Sequence, residues 1–214
     1  MSGHCELLHK ILVVGEGNTG KTCLIRRYVH NIFQSTNKAT IGVDFALKVL
    51  NQNNRSITLQ IWDIAGQERY GQMTRVYYQA AVGAMVVCDA SRPETMDLAI
   101  KWKQDLDSKV FLGNTGRTIP CVLLVNKVDL LEGGKCGKSK DDMDAFCREH
   151  GFVGWFETSA KQDMNVGASF QALVDHVLEA TSDLPNAGQE KKPDNNGAVR
   201  KGKKKEEPKK DCKC

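Results

Sequence analysis

The sequence predicts an α/β domain, a six-stranded and mostly parallel sheet with helices on both faces. Short apolar runs alternate with segments of helical periodicity, as in a sheet whose strands are joined by crossover helices. Two neighbouring segments alternate polar and apolar residues about a polar break, which marks a single hairpin. The octet Gly15-Glu16-Gly17-Asn18-Thr19-Gly20-Lys21-Thr22 matches the phosphate-binding pattern G-x-x-x-x-G-K-[ST] at every fixed position and lies between a strand-like run and a helix-like one.

The elements follow in order. Ile11 to Val14 reads as a buried strand and Cys23 to Val29 as the helix behind the octet. Asn31 to Thr40 is polar and aperiodic, a loop across the mouth of the phosphate site. Val43 to Val49 and Ser56 to Trp62 form the hairpin, with Asn51-Gln52-Asn53-Asn54 between them. Asp63 to Gly71 is a second loop, followed by a short helix near Met73 to Ala80. Then come a strand (Val82 to Cys88), an amphipathic helix (Glu94 to Val110), a strand (Cys121 to Val125), a helix (Lys138 to Glu149), a short strand (Val153 to Phe156) and a last helix (Val166 to Ala180). Loops at the carboxyl ends of such strands share one edge, where ligands bind. Trp102, Trp155 and Phe156 are expected in the core.

The domain is expected to span residues 1–182, with a disordered tail over 183–214 in which Pro, Gly, Asn, Lys and Glu dominate. From Glu190 onward ten basic residues face five acidic ones, a net +5 beside a body of −1. No apolar run approaches the length of a membrane span, and the first residues lack both the basic and the apolar region of an export signal. Eight cysteines without such a signal imply a reducing compartment. Cys88 and Cys121, inside apolar runs, are expected in the core. Cys5, Cys23, Cys136 and Cys147 lack metal-ligand spacing and read as free thiols.

Glycines in the octet let successive amides turn onto one anion, and the helix behind adds its positive end. Gly17, Asn18, Thr19, Gly20, Lys21, Thr22 and Cys23 are the candidate phosphate contacts. Lys21 would reach the β- and γ-phosphate oxygens, and the Thr22 hydroxyl would ligate Mg2+. Asn126-Lys127-Val128-Asp129 selects the base. A carboxylate at 129 can accept from guanine N1-H and the 2-amino group, whereas adenine offers neither donor there and would leave it unpaired. Asn126 can bond guanine and neighbouring loops, the Lys127 stem can lie over the base, and Ser159-Ala160-Lys161 would set the Ala160 amide against the guanine oxygen. Asp63 can hold the metal through a water. Gly66 can bring its amide to a γ-phosphate because no Cβ intervenes. Gln67 can orient a water for in-line attack, and Thr40 can give its hydroxyl to the metal and its amide to the γ-phosphate. Both loops then depend on one phosphoryl group, which makes an order-disorder switch.

These residues carry a resemblance. From about His9 to the terminal cysteines the chain resembles a Rab, a small GTPase of the Ras superfamily, which implies the G-domain form of the P-loop NTPase fold. Ile41-Gly42-Val43-Asp44-Phe45 and Trp62-Asp63-Ile64-Ala65-Gly66-Gln67-Glu68-Arg69-Tyr70 resemble the Rab switch regions. The resemblance places Phe33 against the guanine and implies an effector surface at Ile41, Phe45, Trp62 and Tyr77. There are departures: Ile64 stands where Rabs usually carry Thr, and Tyr77-Tyr78-Gln79-Ala80-Ala81 only partly follows Tyr-Tyr-Arg-Gly-Ala. Ile64, Val76-Tyr77-Tyr78 and the segment Lys101 to Val110 resemble the Rab subgroup of lysosome-related organelles.

The resemblance implies a GTP/GDP switch in vesicle traffic with slow intrinsic hydrolysis, on the order of 10⁻⁴ per second in Ras and some 10⁵-fold faster once a partner supplies an arginine. No arginine here has an evident claim to that role in cis. Implied partners are an exchange factor (GEF), a GTPase-activating protein (GAP), effectors, a prenylation escort and a GDI-type chaperone. The terminal Cys212-Lys213-Cys214 resembles the C-x-C Rab terminus, with both cysteines geranylgeranylated. Two lipid chains anchor firmly, and the basic tail adds attraction for anionic lipids, so membrane rather than nucleic acid is the expected partner of the tail. The expected location is the cytoplasmic face of endosomal or lysosome-related membranes, with a cytosolic pool. The rival readings are a GTP-binding scaffold that does not cycle and an ATP-dependent phosphotransferase.

Overall fold

The computed structural model describes residues 6–35, 39–52, 55–67, 74–134 and 136–184. The elements are β1 (Glu6–Gly15), α1 (Lys21–His30), β2 (Val43–Gln52), β3 (Arg55–Ile64), α2 (Thr74–Tyr78), β4 (Ala81–Asp89), α3 (Glu94–Lys109), β5 (Cys121–Asn126), α4 (Lys140–His150), β6 (Gly154–Thr158) and α5 (Val166–Thr181). The sheet runs β2-β3-β1-β4-β5-β6, and only β2 is antiparallel to its neighbour. This is the six-stranded, mostly parallel sheet read from the sequence.

β1 sits inside the sheet and is apolar on both sides because both faces are covered. Leu12 and Val14 share one core with Trp102 and Leu106 of α3 and Met143 and Cys147 of α4. Ile11 and Val13 share the other with Leu24 and Ile25 of α1 and Phe170, Leu173, Val174 and Val177 of α5. The two cores hold the sheet rigid, and parallel pairing brings the ends of β1, β3, β4, β5 and β6 to one edge.

Where the elements differ from expectation, local chemistry accounts for it. The hairpin strands pair out to Gln52 and Arg55, so the four-residue break narrows to Asn53 and Asn54, which lie outside the described residues. α2 ends at Tyr78 rather than near Ala80, whose φ of +60° turns the chain out of the helix; Met73 lies outside the described residues. α4 begins at Lys140 rather than Lys138, because the Ser139 hydroxyl caps it by accepting from the Asp142 amide (3.1 Å). β6 runs on to Thr158. Trp102 is fully buried, but Trp155 and Phe156 are only partly so, since β6 is an edge strand. The Trp155 indole instead donates to Asp144 Oδ1 (2.8 Å).

Cys88 and Cys121 are core residues, as expected; Cys147 joins them, and Cys23 and Cys136 are also unbridged. Turns after α5 continue to Leu184, which packs against the α3 face, two residues past the expected boundary. Cys5 and the tail from residue 185, with Cys212 and Cys214, lie outside the described residues. Among the described residues no helix is long and apolar enough to cross a membrane.

Candidate nucleotide site

The phosphate loop spans the turn from β1 into α1, and its carbonyls point outward onto donors. The Lys21 ammonium donates to Gly15 O (2.9 Å) and Glu16 O (3.0 Å), the Thr19 hydroxyl to Glu16 O (3.0 Å), Arg92 Nη2 to Gly17 O (2.9 Å) and Asn126 Nδ2 to Thr19 O (2.8 Å). Peptide planes fixed that way turn their amides to the opposite side; that of Gly17 donates to Glu16 Oε1 (2.9 Å), a carboxylate whose place a bound anion would take. Gly20 adopts φ +93°, and a Cβ there would lie 2.4 Å from Asn126 Nδ2, so both the turn and the fit demand glycine. Burial lowers Lys21 to about 8 despite the opposing pull of Asp63 and Glu16, with Arg92 adding to the depression. Phosphate oxygens would restore its charge.

Three segments that are remote in sequence meet at the start of α1. The Thr22 hydroxyl donates to Asp63 Oδ2 (2.5 Å) and lies 2.9 Å from the Thr40 hydroxyl, itself 3.4 Å from the same carboxylate oxygen. Asp63 is 4% exposed, and its Oδ1 has no hydrogen-bond partner among the described residues. Burial raises the Asp63 carboxyl above its ordinary range, against the Thr22 hydrogen bond and the charge of Lys21. A buried carboxylate with a spare oxygen beside two hydroxyls is a hard, all-oxygen donor set that fits Mg2+, which keeps waters and phosphate oxygens as its other ligands.

The base end is tied more heavily. Asn126 is 1% exposed and accepts from the Thr158 hydroxyl (3.2 Å) while its amide nitrogen holds Thr19. Lys127, at φ +66°, donates to Asp89 Oδ2 (2.8 Å). The Ser159 hydroxyl donates to Asp129 Oδ1 (2.5 Å) and accepts from the Gln162 amide (3.0 Å). Ala160 and Lys161 are held by Arg27, whose Nε and Nη2 donate to their carbonyls (2.9 and 3.2 Å).

Between the two ends runs a cleft of about 670 Å³. Gly17, Asn18, Gly20, Lys21, Thr22, Cys23, Phe33, Thr40, Gly66, Gln67, Asn126, Lys127, Asp129, Ala160 and Lys161 all line it. Thr19 and Ser159 are fully buried behind its wall and hold the loops rather than face the cleft, and Asp63 reaches it only through Thr22 and Thr40. Gly66 abuts the phosphate loop so closely that a Cβ would lie 2.3 Å from Gly17 N. Glu68, Arg69 and Tyr70 lie outside the described residues.

Ile41 (94% exposed), just before β2, and Phe45 (63%), on β2 at the sheet edge, are both exposed. Phe45 is opposite Trp62 in the β2-β3 register, with ring centroids 6.3 Å apart and the Lys10 ammonium 3.7 Å above the Trp62 ring. Trp62 and Tyr77 are partly buried against the α3-side core, so they present less surface than Phe45.

Sequence reasoning missed Asp89, Arg92 and Arg27. Asp89 is 3% exposed and accepts from the Ser91 amide (3.0 Å) and hydroxyl (2.7 Å), from Arg92 Nε (3.0 Å) and from Lys127. Burial opposes its ionisation, but those donors prevail and hold its carboxyl below the usual range. The available signal was Asp-x-Ser directly after a strand, an Asx-turn pattern, in a segment where the strand was ended one residue early.

Comparison with known proteins identifies the family. The Ras family model matches residues 10–179. Ras-related protein Rab-32A of Dictyostelium discoideum is 55% identical over 83% of this chain and 81% of its own length. Ras-related protein Rab-32 of Homo sapiens is 54% identical over 85% and 80%, and Ras-related protein Rab-7L1 of Homo sapiens 44% over 85% and 89%.

Proposed function

Because the chain belongs to the Ras family and, within it, to the Rab GTPases, we propose that its GTP form recruits effectors to an intracellular membrane and its GDP form releases them. It is a GTP-binding, GTP-hydrolysing regulatory switch of membrane traffic. The observation that carries the finer reading is the meeting of Thr22, Thr40 and Asp63 on one oxygen cluster, at the opposite end of the cleft from Asp129.

In this reading Asp129, steadied by Ser159, pairs with the guanine N1-H and 2-amino groups. The Ala160 amide meets the guanine oxygen, the Lys127 stem and Phe33 flank the base, and the inward amides of the phosphate loop with Lys21 hold the phosphates. Thr22, Thr40 and Asp63 would hold Mg2+, which supplies charge neutralisation on the phosphate oxygens. Gln67 orients the attacking water, and the Gly66 and Thr40 amides sense the γ-phosphate. Loss of that group removes the common anchor of the two loops and alters the face that carries Ile41, Phe45, Trp62 and Tyr77, which is the effector surface.

A GEF, a GAP, a prenylation escort and a GDI-type chaperone complete the cycle. Geranylgeranyl groups on Cys212 and Cys214, with the basic tail, would hold the protein on endosomal or lysosome-related membranes and leave a cytosolic pool when extracted. Single-turnover assay of the GTP-loaded chain, with GTP and ATP in competition, tests the core of this reading. Slow phosphate release and strong guanine preference are expected; absence of release would make the protein a scaffold, and ATP preference would remove Asp129 from the base site. Deleting the last three residues should move a tagged protein from membranes to cytosol.

A further inference from the structure

Resting on the nucleotide reading above, we propose that Arg92 is a positioning residue for the phosphate loop: together with Asp89 it fastens the Gly17 carbonyl to the base-contacting Lys127 and thereby slows nucleotide release. Arg92 lies in the turn between β4 and α3. Its guanidinium divides its donors, with Nη2 on Gly17 O (2.9 Å) and Nε on Asp89 Oδ2 (3.0 Å). That Asp89 oxygen also accepts from Lys127 Nζ (2.8 Å). One buried carboxylate oxygen therefore links the loop that faces the phosphates to the lysine that faces the base.

The turn presents Arg92 in a fixed place. Its amide donates to Asp89 O (3.0 Å), and the Thr95 hydroxyl accepts from the Asp89 amide (2.8 Å) while bonding the Arg92 carbonyl (2.7 Å). The backbone of the turn is thus already ordered, and only the side chain of Arg92 has freedom left to lose when it docks.

The contact matters because of the peptide it touches. Gly17 O belongs to the unit whose N-H is that of Asn18, and Asn18 stands at φ +61°, in the small left-handed region that asparagine tolerates better than most residues with a side chain. A charged donor on that carbonyl holds the peptide plane in place, keeps the Asn18 N-H turned away from the carbonyl's partner, and polarises it as a donor. The charge is also felt at the phosphate end, since Arg92 is among the groups that depress Lys21 after burial. An ion pair as exposed as Arg92–Asp89, with Arg92 at 36%, would by itself contribute little. The Gly17 contact is what gives the pair a task. Arg92 touches neither base nor reacting atoms here, so its role is indirect.

The experiment uses the full chain loaded with a fluorescent GDP and chased with excess GDP in Mg2+. Arg92→Ala should release the probe about tenfold faster or more, the loss expected for a hydrogen bond from a charged donor. Arg92→Lys, a point charge that can reach Asp89 or Gly17 but does not span both, should fall between. Asp89→Asn combined with Arg92→Ala should add less than the product of the two single effects, because both break one linkage. The melting temperature of the nucleotide-free chain should move little in Arg92→Ala. Release within twofold of wild type overturns the proposal. So does faster release with no rescue by lysine and a parallel fall in melting temperature, which would mark a general loss of structure. A wild-type chain that retains no guanine nucleotide overturns the reading of the cleft itself, a result distinct from failure of the Arg92 variants alone.

Discussion

Replacing Gly66 with alanine should uncouple the second loop from the phosphate loop while leaving the diphosphate form nearly intact. Gly66 has an ordinary negative or extended backbone conformation, so alanine is not strained there by φ. What it meets is the phosphate loop: a Cβ would lie 2.3 Å from Gly17 N, 2.7 Å from Glu16 C and 2.8 Å from Gly17 Cα. Ordinary contacts begin near 3.4 Å, so one side must retreat by about 1 Å. The phosphate loop is the side that holds, because Glu16 O is bound by Lys21 and Thr19 and Gly17 O by Arg92. The second loop withdraws, and the Gly66 amide withdraws with it. Overpacking of this kind costs about 1–3 kcal/mol, which converts to roughly 5- to 150-fold. That penalty should fall on the triphosphate form, because in the proposed reading only the γ-phosphate uses the Gly66 amide. Dissociation constants for GDP and a non-hydrolysable GTP analogue, measured by stopped-flow fluorescence on wild type and Gly66→Ala, give the ratio directly. GDP affinity should stay within about threefold while preference for the analogue drops by roughly tenfold or more. An unchanged ratio would refute the argument, as would a structure of the variant with residue 66 still against Gly17.

Three further outcomes follow from particular residues. Asp129→Asn should shift preference from guanine to xanthine nucleotides, because an amide can donate to the 2-oxo group; unchanged guanine selectivity in competition binding would exclude Asp129 from base recognition. Ala80→Gly should stabilise the fold by about 0.5–1 kcal/mol in urea unfolding, since Ala80 is held at φ +60° where glycine carries no Cβ penalty; a destabilised variant would contradict this. His9 is buried at 1% exposure between Leu7 and Ile11 on the α1/α5 face, and neither ring nitrogen has a partner among the described residues. Burial lowers its pKa from 6.5, so the folded state favours the neutral ring. Its contribution is present in full above about pH 6.5 and is lost as pH falls toward the depressed value, because the unfolded chain then binds the proton more readily. Urea melts from pH 7.5 to 5 should show this slope and His9→Leu should flatten it; equal slopes would rule His9 out as its source.

Much of the fold was legible because periodicity reports burial. Ile11 to Val14 and Cys121 to Val125 are uniformly apolar since helices cover both faces of those strands, and the alternation in Ser56 to Trp62 appears as a matching alternation in burial along β3. Element ends were less legible. Ala80 gives no compositional sign of a left-handed turn, although its place against Gly in the resembling pattern was a clue. In the site, contiguous motifs such as Gly15 to Thr22 and Asn126 to Asp129 could be read directly. Asp89, Arg92 and Arg27 could not: each acts on a carbonyl or an ammonium far away in the chain, and a long-range contact to backbone has no local signature.

The two ends of the cleft are fastened unequally, and this inequality bears on how a switch can work. At the base end Asn126, Lys127, Asp129, Ser159 and Ala160 each have a hydrogen bond to a partner within the protein, several of them buried. At the phosphate end, among the described residues, Thr40 meets the Thr22 hydroxyl and the outer reach of Asp63, while Gly66 touches the phosphate loop by van der Waals approach. The Ala65 amide on Gly42 O (3.0 Å) joins the two segments to each other rather than to the phosphate loop. Local opening draws on the least-bonded elements first. If Thr40 and Gly66 hold the γ-phosphate as proposed, removing it would cost the two segments a large share of their attachment and the base loops almost none. In the proposed cycle nucleotide would stay bound while the segments relax together, which would separate hydrolysis from release and leave release to an exchange factor. If the proposed link through Arg92 is cut, that separation should narrow, because the phosphate loop would lose its tie to the firmly held end.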